Sequence, residues 1–192
     1  MKRLLSTVSV LALTIAGLIG LGSLVPKSQA TPYYAPDGMA ILEPAVLTVS
    51  TGSYGANTLI GTHTNGYMAF QKAAKLAGGS GQILSACVTS KDTDSPALDL
   101  VLFDSAPTNS TFTDSGAINV HDDDVGKVQG HIGFAAASWK TLSGSQYVCN
   151  AAVDMGYIAV ASTSMFGILV ARGILTPAST SDYNIRLVVR RS

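Results

Sequence analysis

The chain has few charged residues and almost no glutamate. Lys, Arg, Asp and Glu make up 12% of its 192 residues, about half the share that is usual in soluble proteins. Glutamate occurs once, as Glu43. Because surface helices normally carry Glu, Lys and Arg on their solvent-facing side, this composition argues against a helical protein. The abundant Gly, Ser, Thr and Ala are instead typical of short strands joined by tight turns.

The chain also lacks an excess of positive charge outside its first thirty residues. Residues 31–192 contain 9 basic and 12 acidic residues, a net charge of −3. A nucleic-acid-binding surface needs a basic stripe, so there is no electrostatic reason to expect such a partner. The basic cluster of this region is interpreted as the solvated end of a strand. It consists of Arg186, Arg190 and Arg191.

The first thirty residues have the layout of a secretory signal. Two basic residues precede an uncharged apolar run over 4–25, and a pattern of small residues ends at Ala30. This layout predicts export with cleavage between Ala30 and Thr31. The run is also about as long as a bilayer-spanning helix, so an uncleaved N-terminal anchor is one alternative. Membrane contact would then involve residues 1–30 only, and a non-exported apolar arm is the other alternative.

The rest of the chain has the periodicity of short strands. Residues 31–45 are proline-rich and predict an extended linker before a folded domain over 46–192. In ALDLVLFDS, at 97–105, Leu98, Leu100 and Leu102 alternate with other residues, which is the period of a half-buried strand. The predicted strands lie at 45–49, 58–62, 66–70, 81–90, 98–104, 128–134, 147–152, 157–160, 165–171 and 183–189.

We therefore predict an all-β fold, a β-sandwich or jelly roll of about 8–10 short antiparallel strands with one short helix, preceded by the apolar N-terminal segment.

The acidic residues do not have the spacing of a catalytic pair or a calcium site. Asp99 and Asp104 lie on opposite faces of one strand, about 16 Å apart. The run HDDD at 121–124 lacks the alternating oxygen ligands, central Gly and distant Glu of an EF-hand loop. Its three aspartates predict instead the capped N-terminus of the short helix, with Val125 and Val128 facing inward.

Two cysteines, Cys87 and Cys149, lie within predicted strands. In an oxidising compartment they can close one disulfide across the sandwich, stabilising it by ~3 to 4 kcal/mol. In a reducing cytosol they would be two small buried hydrophobes. Neither has a ligand-type residue at close spacing, so no metal site is predicted.

No nucleophile, paired carboxylate or metal-ligand set has the neighbours that catalysis requires. The glycine-rich run at 78–81 predicts a turn rather than a phosphate-binding loop. We therefore predict a protein that is not an enzyme and carries no cofactor. The histidines lie far apart in the sequence and predict surface positions. They are His63, His121 and His131.

Two features are compatible with glycans. Asn109 begins an Asn-Ser-Thr sequence, the acceptor pattern of N-glycosylation, which indicates an exposed loop. Three aromatic residues, Trp139, Tyr147 and Tyr157, are candidates for a sugar-stacking platform. Aromatic residues make up only 7% of the chain, so packing in the core or between subunits is the preferred interpretation.

Two stretches resemble a family of small tailed-phage and prophage virion proteins from the head-gene region. They are ALDLVLFDSAPTNSTFTDSGAINVHDDDVGKVQGHI at 97–132 and FGILVARGILTPASTSDYNIRLVV at 166–189. The resemblance covers roughly residues 45–192. It implies a jelly-roll decoration or cement protein on the outside of a capsid. Such a protein is a homo-oligomer, often a trimer, and braces the lattice of the major capsid protein.

We accordingly expect a non-enzymatic virion structural protein at the capsid surface. It would bind itself and the capsid lattice through strand edges, the 32–44 arm and the 107–114 loop. If residues 1–30 are an arm, they would contact a neighbouring capsid subunit. The alternative is an exported bacterial surface or periplasmic module that binds a glycan or a protein. That alternative predicts a mature chain beginning at Thr31 and bridged cysteines.

Overall fold

The computed structural model describes residues 38–44, 47–61 and 65–192. The predicted signal or arm at 1–30, residues 31–37 and 45 of the predicted linker, and His63 lie outside these ranges. So do residues 45–46 of the predicted 45–49 strand and residue 62 of the predicted 58–62 strand. The described residues form eleven strands, one α-helix and one 3₁₀ helix. In chain order these are β1 (Met39–Leu42), β2 (Thr58–Ile60), β3 (Met68–Phe70), β4 (Ser80–Ser90), β5 (Leu98–Phe103), α1 (Asp122–Val125), β6 (Val128–Phe134), the 3₁₀ helix (Ala136–Ser138), β7 (Lys140–Leu142), β8 (Ser145–Asn150), β9 (Met155–Ile158), β10 (Met165–Ala171) and β11 (Tyr183–Arg191).

The strands form two antiparallel sheets. The first sheet has the order β1-β11-β4-β8-β7, and β9 pairs with the beginning of β4. The second has the order β2-β10-β5-β6, and β3 pairs with the beginning of β10. Side chains from the inner faces of both sheets meet in one hydrophobic core. The prediction of an all-β sandwich is therefore confirmed.

The central strands of the second sheet bury apolar side chains on both faces. The three leucines of β5 lie in the core and are at most 1% exposed, as their alternation predicts. Phe103, on the opposite face of β5, is also buried, because Phe112 from the following loop covers it. Ile168 and Val170 of β10 join the same outer cluster. Strand β10 is thus buried on both faces, which explains its continuous apolar sequence MFGILVA.

Besides shifts of up to two residues at several strand ends, the structure differs from the strand predictions in three places. Residues 47–49 do not form a strand, although Leu47 and Val49 are buried. Strand β1 lies inside the predicted 31–45 linker and pairs with β11, so the sandwich begins before residue 46. Strand β7 has no counterpart among the predicted strands, because its three residues are all exposed and show no apolar alternation.

The short helix forms where it was expected, but its predicted cap and buried face are wrong. The side chain of His121 caps it, since His121 Nδ1 accepts a hydrogen bond from the Asp123 N–H at 3.2 Å. Val125 and Val128 are 55% and 39% exposed. The buried residue of the helix is Asp124, whose carboxylate binds the preceding loop.

We predict that replacing a core leucine of β5 destabilises the sandwich far more than replacing an exposed apolar residue. Leu100 is fully buried, so Leu100→Ala should lower the free energy of unfolding by about 2 to 5 kcal/mol in urea denaturation. Ile174 is 79% exposed, and Ile174→Ala should change it by no more than about 0.5 kcal/mol. Equal effects of the two substitutions would contradict the assignment of the β5 inner face.

Candidate functional site

The two cysteines are joined in a disulfide within one sheet. Cys87 of β4 and Cys149 of β8 are direct register partners, with their Cα atoms 4.1 Å apart. The expectation of a bridge across the sandwich is therefore wrong. Strands β4 and β8 are hydrogen-bonded neighbours, so the bond links adjacent strands and closes a loop with a sequence separation of 62.

Both cysteines lie on the outward face of this sheet. Their chain neighbours Ala86, Val88 and Val148 face inward and are at most 1% exposed. Because side chains alternate along a strand, the cysteines point away from the core. Cys149 is exposed and Cys87 is half-buried. The alternative of two buried hydrophobes is therefore wrong as well.

A charged pair continues the row of the disulfide across the sheet. Arg186 of β11 is the register partner of Cys87. Its guanidinium lies 2.6 Å from the carboxylate of Glu43, which follows β1. The order across the outer face is thus carboxylate, guanidinium, Cys87, Cys149. Beside this row lies a groove of about 290 Å³, lined by both cysteines, Thr89, Leu142, Tyr147, Asn184 and Arg186.

A set of exposed apolar side chains lies at the end of the sandwich where β4 and β6 begin. We call it the apolar end patch; it consists of Leu76 (74% exposed), Val128 (39%), Ile158 (52%) and Val160 (54%). Hydrogen bonds hold the three segments side by side. The Ala159 N–H donates to the Gly79 carbonyl, and the Gly79 N–H donates to the Leu76 carbonyl. The Gln129 side chain bonds both backbone groups of Ile158.

Asp124 anchors the loop that precedes the short helix. Its side chain is fully buried and accepts hydrogen bonds from the Ser110 hydroxyl at 2.7 Å and the Asn109 N–H at 2.9 Å. The Lys127 ammonium lies 2.7 Å from the same carboxylate. Burial raises the pKa of Asp124, but Lys127 and Ser110 outweigh it and lower the pKa to about 2. Asp124 therefore holds the preceding loop in place through its carboxylate, and we call a residue with this role a loop anchor.

Asp114 is a second loop anchor, and no sequence pattern predicts this role. Its carboxylate accepts the Tyr54 hydroxyl at 2.6 Å, the Gly61 N–H at 2.7 Å and the Ser50 N–H at 2.8 Å. Burial and the hydrogen bond to Asp114 raise the pKa of Tyr54. These partners lie 53 to 64 residues from Asp114 in the chain, so no local motif marks them. Two anchors thus hold the 104–121 region over the second sheet.

The three aromatic candidates do not form a common sugar-binding platform. Trp139 and Tyr157 belong to the core cluster, and each donates a hydrogen bond to a backbone carbonyl. Burial raises the pKa of Tyr157 to about 12. Tyr147 is half-buried and lines the outer groove. Core packing therefore accounts for two of the three.

The other residues singled out in the sequence lie in separate places. Asp99 is paired with Arg172 at 2.6 Å, and Asp104 accepts a hydrogen bond from the Ser105 hydroxyl at 2.7 Å. Asn109 is exposed, as its acceptor sequence predicts. The predicted turn at 78–81 is only partly right, because the turn ends at Gly78 and Ser80 and Gly81 are the first residues of β4. His131 is exposed on β6, and His121 is exposed at the N-terminus of the short helix, which it caps.

Within the described ranges, His, Cys, Asp and Glu side chains form no group of three or more that could hold a metal ion. No helix in the same ranges has the length and hydropathy to span a bilayer. A comparison of the chain with models of known families finds no match, and neither does a search of curated proteins. The resemblance to tailed-phage virion proteins therefore stays a prediction.

The ion pair of Asp124 predicts a specific dependence of stability on pH. Because its pKa is lower in the folded protein than the value of about 3.9 in an unfolded chain, the carboxylate stabilises the fold above pH ~4. That stabilisation is lost as the pH falls from ~4 to ~2. Asp124→Asn should therefore lower the Tm at pH 7, and the difference from the unmodified protein should shrink through that interval.

Circular dichroism melting curves between pH 2 and pH 7 measure this effect. Asp122→Asn is the matched control, since Asp122 is an exposed neighbour in the same helix. A Tm difference for Asp124→Asn that is independent of pH would show that the carboxylate charge does not stabilise the loop.

Proposed function

We propose that this protein is a non-enzymatic structural protein that decorates a phage capsid as a homo-oligomer and stabilises the shell. The observation that carries the proposal is the apolar end patch. Four apolar side chains, from 39% to 74% exposed, lie on adjacent segments at one end of the sandwich. A cluster of this kind favours contact with another protein surface, whereas a single exposed apolar residue needs no explanation.

The arrangement of the strands supports the same proposal. The apolar end patch lies on turns and strand ends, outside the core, so it is available without any change in the fold. Among the described residues, strand β6 is at one edge of the second sheet, and an edge strand can pair with a strand of a second copy. The two loop anchors, Asp114 and Asp124, keep the 104–121 region in a fixed shape. A fixed loop loses little conformational entropy when it binds a lattice.

The mechanism is stabilisation by linked binding. A subunit that binds the assembled shell, and not its dissociated subunits, stabilises the shell by its own binding free energy. This requires no reacting group. It requires a rigid body with complementary surfaces, and a sandwich with apolar residues at one end and tethered loops on one face meets that requirement.

The test uses phage particles that lack this gene and are complemented with variants of the full chain. We expect copies of the protein in purified virions, and lower heat resistance of particles without it. The double substitution Ile158→Lys with Val160→Glu should abolish the homo-oligomer in light scattering and leave particles as heat-sensitive as the deletion. The control Ile174→Lys, an exposed apolar residue in the loop after β10, should behave as the unmodified protein. Unchanged heat resistance of the deletion particles would overturn the proposal.

A second candidate function is an exported binding module of a bacterial surface or periplasm. The observation that favours it is the disulfide, because disulfides persist in oxidising compartments and are rare in the cytosol. The outer-face groove beside it is the corresponding binding surface. For this candidate, mass spectrometry of the protein from its native host should find Thr31 as the first residue and no free thiol. An intact Met1 together with two free thiols would remove it.

A further inference from the structure

We propose that the sulfur of Cys149 is a modification site for small-molecule thiols. The incoming thiol would form a mixed disulfide with Cys149 and release Cys87 as a thiolate beside Arg186. The inference is independent of both candidate functions, since it rests on the outer face of the first sheet. Three observations carry it: the unequal exposure of the cysteines, the end of the β7–β8 pairing before Cys149, and the cation on the strand next to Cys87.

The first observation is that the disulfide is accessible from one side. Cys149 is exposed and Cys87 is half-buried on the same outward face. The groove of about 290 Å³ borders both sulfur-bearing residues. This volume is at the lower limit of small-molecule sites, so it suits a small thiol rather than a large ligand.

The second observation concerns the direction of attack. Thiol exchange proceeds by attack of a thiolate on one sulfur of the disulfide while the other sulfur leaves. The attacking and leaving sulfurs lie on opposite sides of the central one, so the nucleophile must reach Cys149 from the side away from β4. Strand β7 does not block this side, because its pairing with β8 ends at Tyr147.

A thiolate that attacks the Cys87 sulfur would have to come from the side of β4 away from β8. The strand on the other side of β4 is β11, and the residue opposite Cys87 there is Arg186. Arg186 is held in place by Glu43 at 2.6 Å. A thiolate directed at Cys87 would approach past this charged side chain, through the groove that both residues line. The greater exposure of Cys149 and the position of Arg186 opposite Cys87 therefore favour Cys149 as the attacked residue and Cys87 as the leaving group.

The third observation is the charge at the leaving group. A thiolate leaves faster when a neighbouring cation lowers its pKa. Arg186, the register partner of Cys87 on the neighbouring strand, carries a permanent positive charge that is paired with Glu43. In the first step the thiolate forms a bond to the Cys149 sulfur, the disulfide bond breaks, and its electron pair stays on Cys87. A second thiol can then attack the mixed disulfide, leaving both cysteines reduced and the two thiols oxidised to their own disulfide.

The experiment uses the full oxidised chain and reduced glutathione as the probe at pH 8. Samples are quenched with acid, free thiols are alkylated, and both cysteine peptides are quantified by mass spectrometry. We expect glutathione on Cys149 and alkylation of Cys87, in at least about tenfold excess over the reverse pattern. A mixed disulfide mainly on Cys87, or none at all, would overturn the proposal.

Variants of Arg186 separate the role of its charge from a structural role. Arg186→Gln should slow formation of the mixed disulfide about three- to tenfold, and Arg186→Lys should restore most of the rate because it keeps the charge. Arg190→Gln is the matched control, since Arg190 is exposed on the same strand and pairs with Gln82 instead of a cysteine. All three proteins should keep the unmodified Tm. Equal rates for Arg186→Gln and Arg190→Gln would overturn the role of the cation.

Discussion

The antiparallel pairing of β4 with β11 is the interaction on which the rest of the first sheet depends. These are the two longest strands in the described ranges, with 11 and 9 residues. β11 carries β1 on its other side, and β4 carries β8 and β9. Because strand side chains alternate between faces, this single register decides what lies inside the sandwich. A slip of one residue would turn over one of the two strands, bring either the disulfide or Arg186 into the core, and expose the apolar neighbours on that strand.

The alternation of apolar residues made most of this architecture predictable. Strands β6 and β10 begin and end at the predicted residues, because both have runs bounded by turn residues. Strand β7 was not predicted because its formation depends on a turn that folds it onto β8. The turn residues, Ser143 and Gly144, both have positive φ. Strand β1 escaped because three prolines around it indicate an extended segment, whereas its pairing with β11 is a long-range interaction that local sequence does not report.

The functional surfaces were also predictable only in part, because they too depend on contacts between residues that are far apart in the chain. The pair of cysteines was visible in the sequence, but whether they face the core or solvent depends on the register of β4. Asp124 stood out in an acidic run, yet its partners Asn109 and Ser110 come from a loop more than ten residues earlier. The apolar end patch unites three segments that are far apart in the chain. Such sites arise from tertiary contacts, which composition and periodicity do not encode.

The positions of the disulfide and of the apolar end patch allow two independent activities on one sandwich. The patch adjoins the first residue of β4, while Cys87 lies seven residues further along, roughly 20 Å away on an extended strand. A subunit bound at the patch would therefore leave the outer-face groove open. Opening the disulfide would loosen the β7–β8 hairpin first, because β4 is the one strand that connects that hairpin to the described sheet. The second sheet has its own outer cluster around Phe103 and β10, so it can keep its structure when the hairpin moves.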